Sequence, residues 1–226
     1  LVISNFKRRH VELQSGFTAK PIGELNIFWV GASEAQDNSG FLQALEKLGK
    51  VRKFYNSDHG YGPLYEIPGK NWLEVRHEND SALIEQVKDA KSKGDIDVLF
   101  GQMWSHVFSE SALKEVRNLG IPVINIAMDD RLPNLWSSKS GQKMGAVGLG
   151  EGVDLTLTTS PETCAWYAVE NMSAIFWPLA SDEKLFSEDG HSSKDIDVLF
   201  IGNRYGIRGK IVNYLEKNGV SVTCYG

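Results

Sequence analysis

Short apolar runs, each stopped by a turn residue and followed by helical periodicity, recur along this chain and limit what it can fold into. Leu25-Asn26-Ile27-Phe28-Trp29-Val30 ends at Gly31. After a polar loop to Gly40, Phe41, Leu42, Leu45 and Leu48 fall on one helical face, Gly49 stops that helix, and Val51–Tyr55 opens the next strand. An apolar run of this length bounded by turns suits a strand buried on both faces. Ile96–Phe100 ending at Gly101, Pro122–Ala127, Val153–Thr158, and Ala174–Trp177 closed by Pro178 read the same way. Between them, Ala82, Leu83, Val87 and Ala90 give one helix face, and Leu113, Val116 and Leu119 another, closed by Gly120. Ser160-Pro161-Glu162-Thr163 reads as a helix start.

The pattern restarts after a polar stretch. Ile196–Ile201 reads as a strand, Gly202–Gly206 as a loop, Ile207–Lys217 as a helix stopped at Gly219, and Val220–Cys224 as a strand. The hexapeptide Asp95–Phe100 recurs as Asp195–Phe200, so one kind of buried strand serves both halves. Strands alternating with helices imply right-handed crossovers and a parallel sheet. The expectation is an α/β protein: a Rossmann-like parallel sheet with helices on both faces, and a second Rossmann-like domain only begun. Residues 1–24 form an N-terminal extension, 25–180 the first domain, 181–194 a linker, and 195–226 the first β-α-β unit of the second. Asn56–His77, rich in Gly, Pro, Tyr and Asp, is expected to be a long irregular connection. Ser137–Gly152 carries Gly141, Gly145, Gly148, Gly150 and Gly152, and is read either as a mobile loop closing over a ligand or as a passive connector.

Composition removes several classes. Hydrophobic residues make up 42% and charged residues 23%, a globular balance with enough apolar side chains for a sizeable core. A net charge of −5 argues against a nucleic-acid binder, which needs a basic face. No apolar run reaches membrane-spanning length and the opening residues do not read as a signal peptide, so a cytoplasmic location is expected. Cys164 and Cys224 stand apart from any second ligand and read as reduced thiols. Asn171-Met172-Ser173 is a chance glycosylation match in such a chain. A first residue that is not Met, and a last strand ending at its turn, suggest that natural chain extends beyond both ends.

Ligands of open parallel sheets sit beyond the carboxyl ends of the strands, so the residues after each strand are the candidates. Gly202-Asn203-Arg204-Tyr205-Gly206-Ile207-Arg208-Gly209-Lys210 joins a strand to a helix start and brings Arg204, Arg208 and Lys210 together. It reads as a phosphate site at a helix N-terminus, or as a solvated turn whose glycines permit tight geometry. Gly31-Ala32-Ser33 opens a second such loop with no basic residue; it reads as facing a ligand held by another domain, or as a helix N-cap made by Asp37 or Ser39. Met128-Asp129-Asp130-Arg131 ends a strand with two acids: a general base, a pair that binds a metal or sugar hydroxyls, or an acid–Arg ion pair closing the strand end. Trp104 and His106 follow the strand that ends at Gly101, and His106 is the weaker catalytic candidate.

Several of these segments resemble a known family. Asn125-Ile126-Ala127-Met128-Asp129-Asp130-Arg131 with Trp136, Gly141-Gln142-Lys143, and Val153–Pro161 are similar to the N-terminal domain of CgeB-like (spore-maturation-protein type) glycosyltransferases. Pro178, Asp182 and Phe186 resemble the hinge of GT-B glycosyltransferases, and Asp197–Arg204 the opening strand and loop of their donor domain. The resemblance covers roughly Leu25 to Gly226. It implies two Rossmann-like domains of GT-B type that transfer sugar from a nucleotide-sugar donor to an unknown glycan, protein or small-molecule acceptor, with no bound metal and no cofactor. Asp129, Asp130 and His106 would serve catalysis. Gly31, Ala32, Ser33, Gly202, Asn203, Arg204, Arg208 and Lys210 would hold the donor and its phosphates. Trp104 and Arg131 would lie on the acceptor side. The donor domain is cut after one β-α-β unit, so the chain alone is expected to be inactive. The alternative is a non-catalytic Rossmann-like binding or assembly module. A flavodoxin-like or nucleotide-dependent oxidoreductase is weakened by the missing dinucleotide fingerprint in the first βα loop.

Overall fold

The computed structural model describes residues 20–56, 60–130, 138–139, 142–182 and 195–226. The chain divides into two compact units, Leu1–Leu185 and Phe186–Gly226.

Six strands form the central sheet of the first unit: β1 (Leu25–Val30), β2 (Gly49–Lys53), β3 (Val98–Gly101), β4 (Val123–Ala127), β5 (Leu155–Thr158) and β6 (Ala174–Phe176). Their order is β6-β5-β4-β3-β1-β2 and every pairing is parallel. Strand β1 shows why both faces are covered. Phe28 and Val30 enter one core, while Ile27 and Trp29 enter another, because side chains alternate along a strand. The first core is completed by Leu83, Val87 and Ala90 of α3 (Trp72–Ser92) and by Leu113 and Val116 of α4 (Glu110–Asn118). The second receives Leu42 and Leu45 of α2 (Phe41–Glu46). A one-turn α1 (Glu34–Asp37) precedes α2. A smaller cluster joins Ala127, Ala146, Val147, Tyr167 and Ala174 beneath α5 (Thr163–Val169). This is the Rossmann-like α/β architecture read from the sequence.

Three local differences have physical causes. Gly49 is the first residue of β2 and not a helix stop, since a Cβ there would overlap the backbone of Leu25. The expected irregular stretch 56–77 holds a hairpin pairing Tyr55–Asn56 with Gly60–Tyr61, and α3 already starts at Trp72. Asn71 starts that helix: its Oδ1 accepts from the N–H groups of Leu73 and Glu74, while Glu74 accepts from the Asn71 N–H. Such a capping box is worth about 1 kcal/mol. Within the glycine-dense stretch, Ala146–Gly152 is a packed 3-10 segment that buries Val147 and Leu149. Gly148 lies against Ser105, and a Cβ on Gly152 would approach Leu113 Cβ to 2.7 Å. Glycine therefore serves close approach here and not looseness.

The second unit is one β-α-β unit. β7 (Val198–Ile201) pairs parallel with β8 (Val222–Tyr225), and α6 (Arg208–Lys217) connects them. Gly219, at φ 80°, ends the helix as expected. No helix among the described residues is long and apolar enough to cross a membrane.

Candidate functional site

Strand order locates the site. β1 lies between β2 and β3, and the chain leaves β1 toward α2 on one face and leaves β3 toward α4 on the other. A reversal of this kind opens a crevice at the carboxyl ends of the two central strands. The tips of β1 and β3 carry Gly31 and Gln102, and the Gln102 backbone N–H donates to the Val30 carbonyl at 2.9 Å.

A buried acid fills that crevice. Asp37 has no solvent exposure. Its Oδ2 accepts from the Tyr61 hydroxyl at 2.5 Å and from Trp29 Nε1 at 3.2 Å, and its Oδ1 accepts from Gln102 Nε2 at 3.2 Å. Tyr61 is delivered by the short hairpin after β2, whose Gly62 N–H bonds back to the Phe54 carbonyl at 3.0 Å. Buried Asn79 of α3 fixes the segment that follows: it accepts from the Leu64 N–H and donates to the Leu64 and Val107 carbonyls. Burial pushes the Asp37 carboxyl above the ordinary aspartate range, against the opposing pull of the Tyr61 and Trp29 hydrogen bonds. Tyr61 is pushed strongly upward by burial and by the adjoining carboxylate. Gly31 is required by this arrangement. A Cβ at that position would overlap Asp37 and Tyr61 and lie 2.7 Å from Trp29 Nε1. Neither Asp37 nor Ser39 caps a helix: Ser33 and Gly40 stand at the N-cap positions of α1 and α2, and neither makes a side-chain cap bond.

The tip of β4 places its two acids differently. Asp129 is exposed, at φ 60°. Asp130 is buried and accepts from Thr158 Oγ1 at 3.0 Å, Tyr167 OH at 3.0 Å and Thr163 Oγ1 at 3.4 Å. Burial raises its pKa and these hydroxyls oppose the rise. Asp130 thereby ties β4 to β5 and α5. Arg131, along with Trp136, Gly141 and Phe186 of the resemblance, lies outside the described residues. Asn125, in the middle of β4, accepts from the Met103 N–H at 2.7 Å and donates to the Met103 carbonyl at 3.1 Å, fixing the exit of β3. On that exit Trp104 is half-buried against the core, and His106 is exposed with its ring 6.5 Å from the indole. Asp154, another residue of the resemblance, is buried with Arg117 at 2.9 Å and accepts from the Val123 N–H, so its task is structural.

In the second unit, Gly202 follows β7 at φ 129°, and a Cβ on it would meet only Arg208 Nη1, at 3.9 Å. The Arg208 guanidinium lies over the Tyr205 ring, 4.4 Å from its centroid, and its Nη1 reaches the Asn203 carbonyl at 3.5 Å. Ile207 occupies the N-cap position of the ten-residue α6 without a side-chain cap bond. The first N–H groups of the helix thus lack side-chain capping. Arg204 and Lys210 are exposed, and among the described residues no carboxylate pairs with either or with Arg208.

The structure gathers Gly31, Ala32 and Ser33 at the first crevice, sets Asp129 and Asp130 at the tip of β4 in the same sheet, and groups Asn203, Arg204 and Arg208 around Gly202. Asp37, one of two cap candidates in the sequence, is instead the centre of this network, which Tyr61 and Gln102 join from distant positions. The apolar stretch around Trp29 gave one signal, since a buried indole needs an acceptor. Among the described residues, no three His, Cys, Asp or Glu side chains converge as a metal site. Cys164 and Cys224 are free and half-buried. No family model matches the chain, and no curated protein matches it in sequence.

Proposed function

We propose that this chain carries the diphosphate-binding loop and the acceptor-side rim of an enzyme that transfers sugar from a nucleotide-sugar. The observation that carries the reading is the Gly202–Lys210 loop. It combines an open glycine at a strand tip, an uncapped helix start and three cations on an otherwise acidic chain. Unpaired N–H groups and the helix dipole attract a phosphate, and guanidinium groups neutralise it in paired hydrogen bonds. The resemblance of Asp197–Arg204 to a donor-domain opening agrees with that chemistry.

In the transfer, the acceptor hydroxyl oxygen bonds to the anomeric carbon. The bond from that carbon to the diphosphate breaks, and its electron pair leaves with the nucleoside diphosphate. The hydroxyl proton passes to a carboxylate. Asp129, exposed at the tip of β4, is the accessible member of its pair. Arg204, Arg208 and Lys210 stabilise the charge that develops on the leaving group.

A binding module without transfer is the second reading. It is favoured by Asp130, whose carboxylate is engaged by three hydroxyls. Titration with nucleoside diphosphates tests the first step. Binding should be weakened about tenfold in Arg204→Ala, the loss of one charge-assisted contact. Unchanged affinity would remove Arg204 from the site. A panel of nucleotide-sugars then separates the readings: binding with release of free sugar supports the enzyme, and binding without turnover supports the module.

A further inference from the structure

The two edges of the six-stranded sheet carry opposite chemistry. β2 forms one edge and bears Lys50, Arg52 and Lys53, with Lys50 paired to Asp95 and Arg52 to Asp89. Charged side chains of this kind keep an edge from pairing with another strand. β6 forms the other edge and lacks them: from Asn171 to Ser181 the sequence has no Asp, Glu, Lys, Arg or His. Ile175 is 40% exposed and Phe176 48%. α5 packs over β6 through Tyr167 and Ala174, and its Val169 is largely exposed, as is Leu179 after the strand.

Backbone direction adds a second observation. The Thr156 N–H donates to the Ser173 carbonyl at 2.8 Å, and the Trp177 N–H donates to the Thr158 carbonyl at 2.7 Å. Successive residues of a strand turn these groups to opposite sides, so Ser173, Ile175 and Trp177 face β5, and the N–H and C=O of Phe176 point away from it. Among the described residues no strand pairs with that side. Ala174 points the same way but is buried beneath α5, which leaves Phe176 as the centre of any pairing. Beside a twofold axis, the N–H of each Phe176 donates to the carbonyl of the other, in an antiparallel pair. Such an axis sets side chains against their own copies. On β2 that opposes cation to cation; on β6 it opposes apolar groups. A free peptide would gain few backbone bonds from a three-residue strand, whereas a second copy brings its own apolar side chains as well. We propose that the β6 edge is a homodimer interface, where two copies pair antiparallel at Phe176 and join their sheets into one. This is independent of the proposed function.

Sedimentation velocity of the full chain tests it, at up to about 500 µM because a small interface binds weakly. The mass is expected to rise with concentration from 25.1 kDa toward twice that value. Phe176→Lys and Phe176→Glu each set like charges across the axis and are expected to stay monomeric, while an equimolar mixture of the two dimerises. Circular dichroism checks their folding; Ile175→Lys serves where they do not fold, with the same loss of the dimer expected. A wild type that stays monomeric, a dimer that survives Phe176→Lys, or a mixture that does not associate overturns the proposal. So does a Phe176 amide that exchanges its hydrogen slowly in the dilute monomer, since another segment of the same chain would then cover the edge.

Discussion

Two strand-to-helix loops of this chain begin with glycine, yet the glycines do different work. Gly31 is packed from within: Asp37, Tyr61 and Trp29 fill the space that a side chain would take. Gly202 bonds through its N–H to the Tyr225 carbonyl, but a Cβ on it would meet only Arg208, at 3.9 Å. The first loop leads into a single helical turn and carries two acids; the second leads into a ten-residue helix and carries Arg204, Arg208 and Lys210. A glycine after a strand is thus no sign of phosphate binding by itself. What the missing Cβ would touch separates a glycine that admits an internal clasp from one that leaves room outside.

The contrast can be broken first at the glycines. Gly31→Ala should cost about 3 kcal/mol or more, because the clash falls on a hydrogen-bonded core group. Urea unfolding followed by tryptophan fluorescence measures it, since all six tryptophans precede residue 186. Gly202→Ala meets no such clash, and its cost, about 1 kcal/mol, is that of a side chain held at φ 129°, read from hydrogen exchange of the β7 amides. Removing the clasp comes next. Asp37→Ala strands the donors of Gln102 and Tyr61, while Trp29 Nε1 keeps the Tyr61 hydroxyl at 2.9 Å, and should lower stability by about 2 kcal/mol in the same assay. In the second loop, Arg208→Ala should weaken nucleoside-diphosphate binding about tenfold with no change in tryptophan-detected unfolding; calorimetric titration reads the affinity.

The smallest effect concerns pH. Burial raises Asp37 and Asp130, so between about pH 4, where aspartates titrate in the unfolded chain, and their higher folded values, the native state holds protons that the unfolded state has released. Stability should therefore fall as pH rises through that window and level off above it. The difference in melting temperature between the wild type and Asp37→Asn, followed across the window, isolates the share of Asp37. A difference that does not vary with pH would show that Asp37 ionises there as it does in the unfolded chain.

The sheet was legible because a strand buried on both faces must be apolar at successive positions, as Ile27, Phe28, Trp29 and Val30 are. The second unit was legible from the equally apolar run Val198–Ile201, although Leu199 and Ile201 are exposed. The start of α3 is hidden because Arg76–Ser81 interrupts the apolar face, where the buried position is Asn79 and not an apolar residue, although Asn71 and Glu74 spell a cap. For Gly148 and Gly152, in a stretch open to reading as a closing loop or as a passive connector, the close packing was not legible because sequence does not reveal what lies 3 Å away. Asp37 was hidden by distance along the chain: its partners Tyr61 and Gln102 lie 24 and 65 residues further on. Only strand order, with β1 next to β3, brings them to one crevice. The same order made the carboxyl rim the place to look, which sequence reasoning did anticipate.

The division of labour between the loops can be read in one titration of the isotope-labelled chain with pyrophosphate, following backbone amides. The account predicts saturable shifts at Gly202, Asn203, Arg204, Gly206 and Gly209, and none at Gly31, Ala32 or Ser33. Shifts centred on Gly31–Ser33, with the Gly202 loop silent, would contradict it.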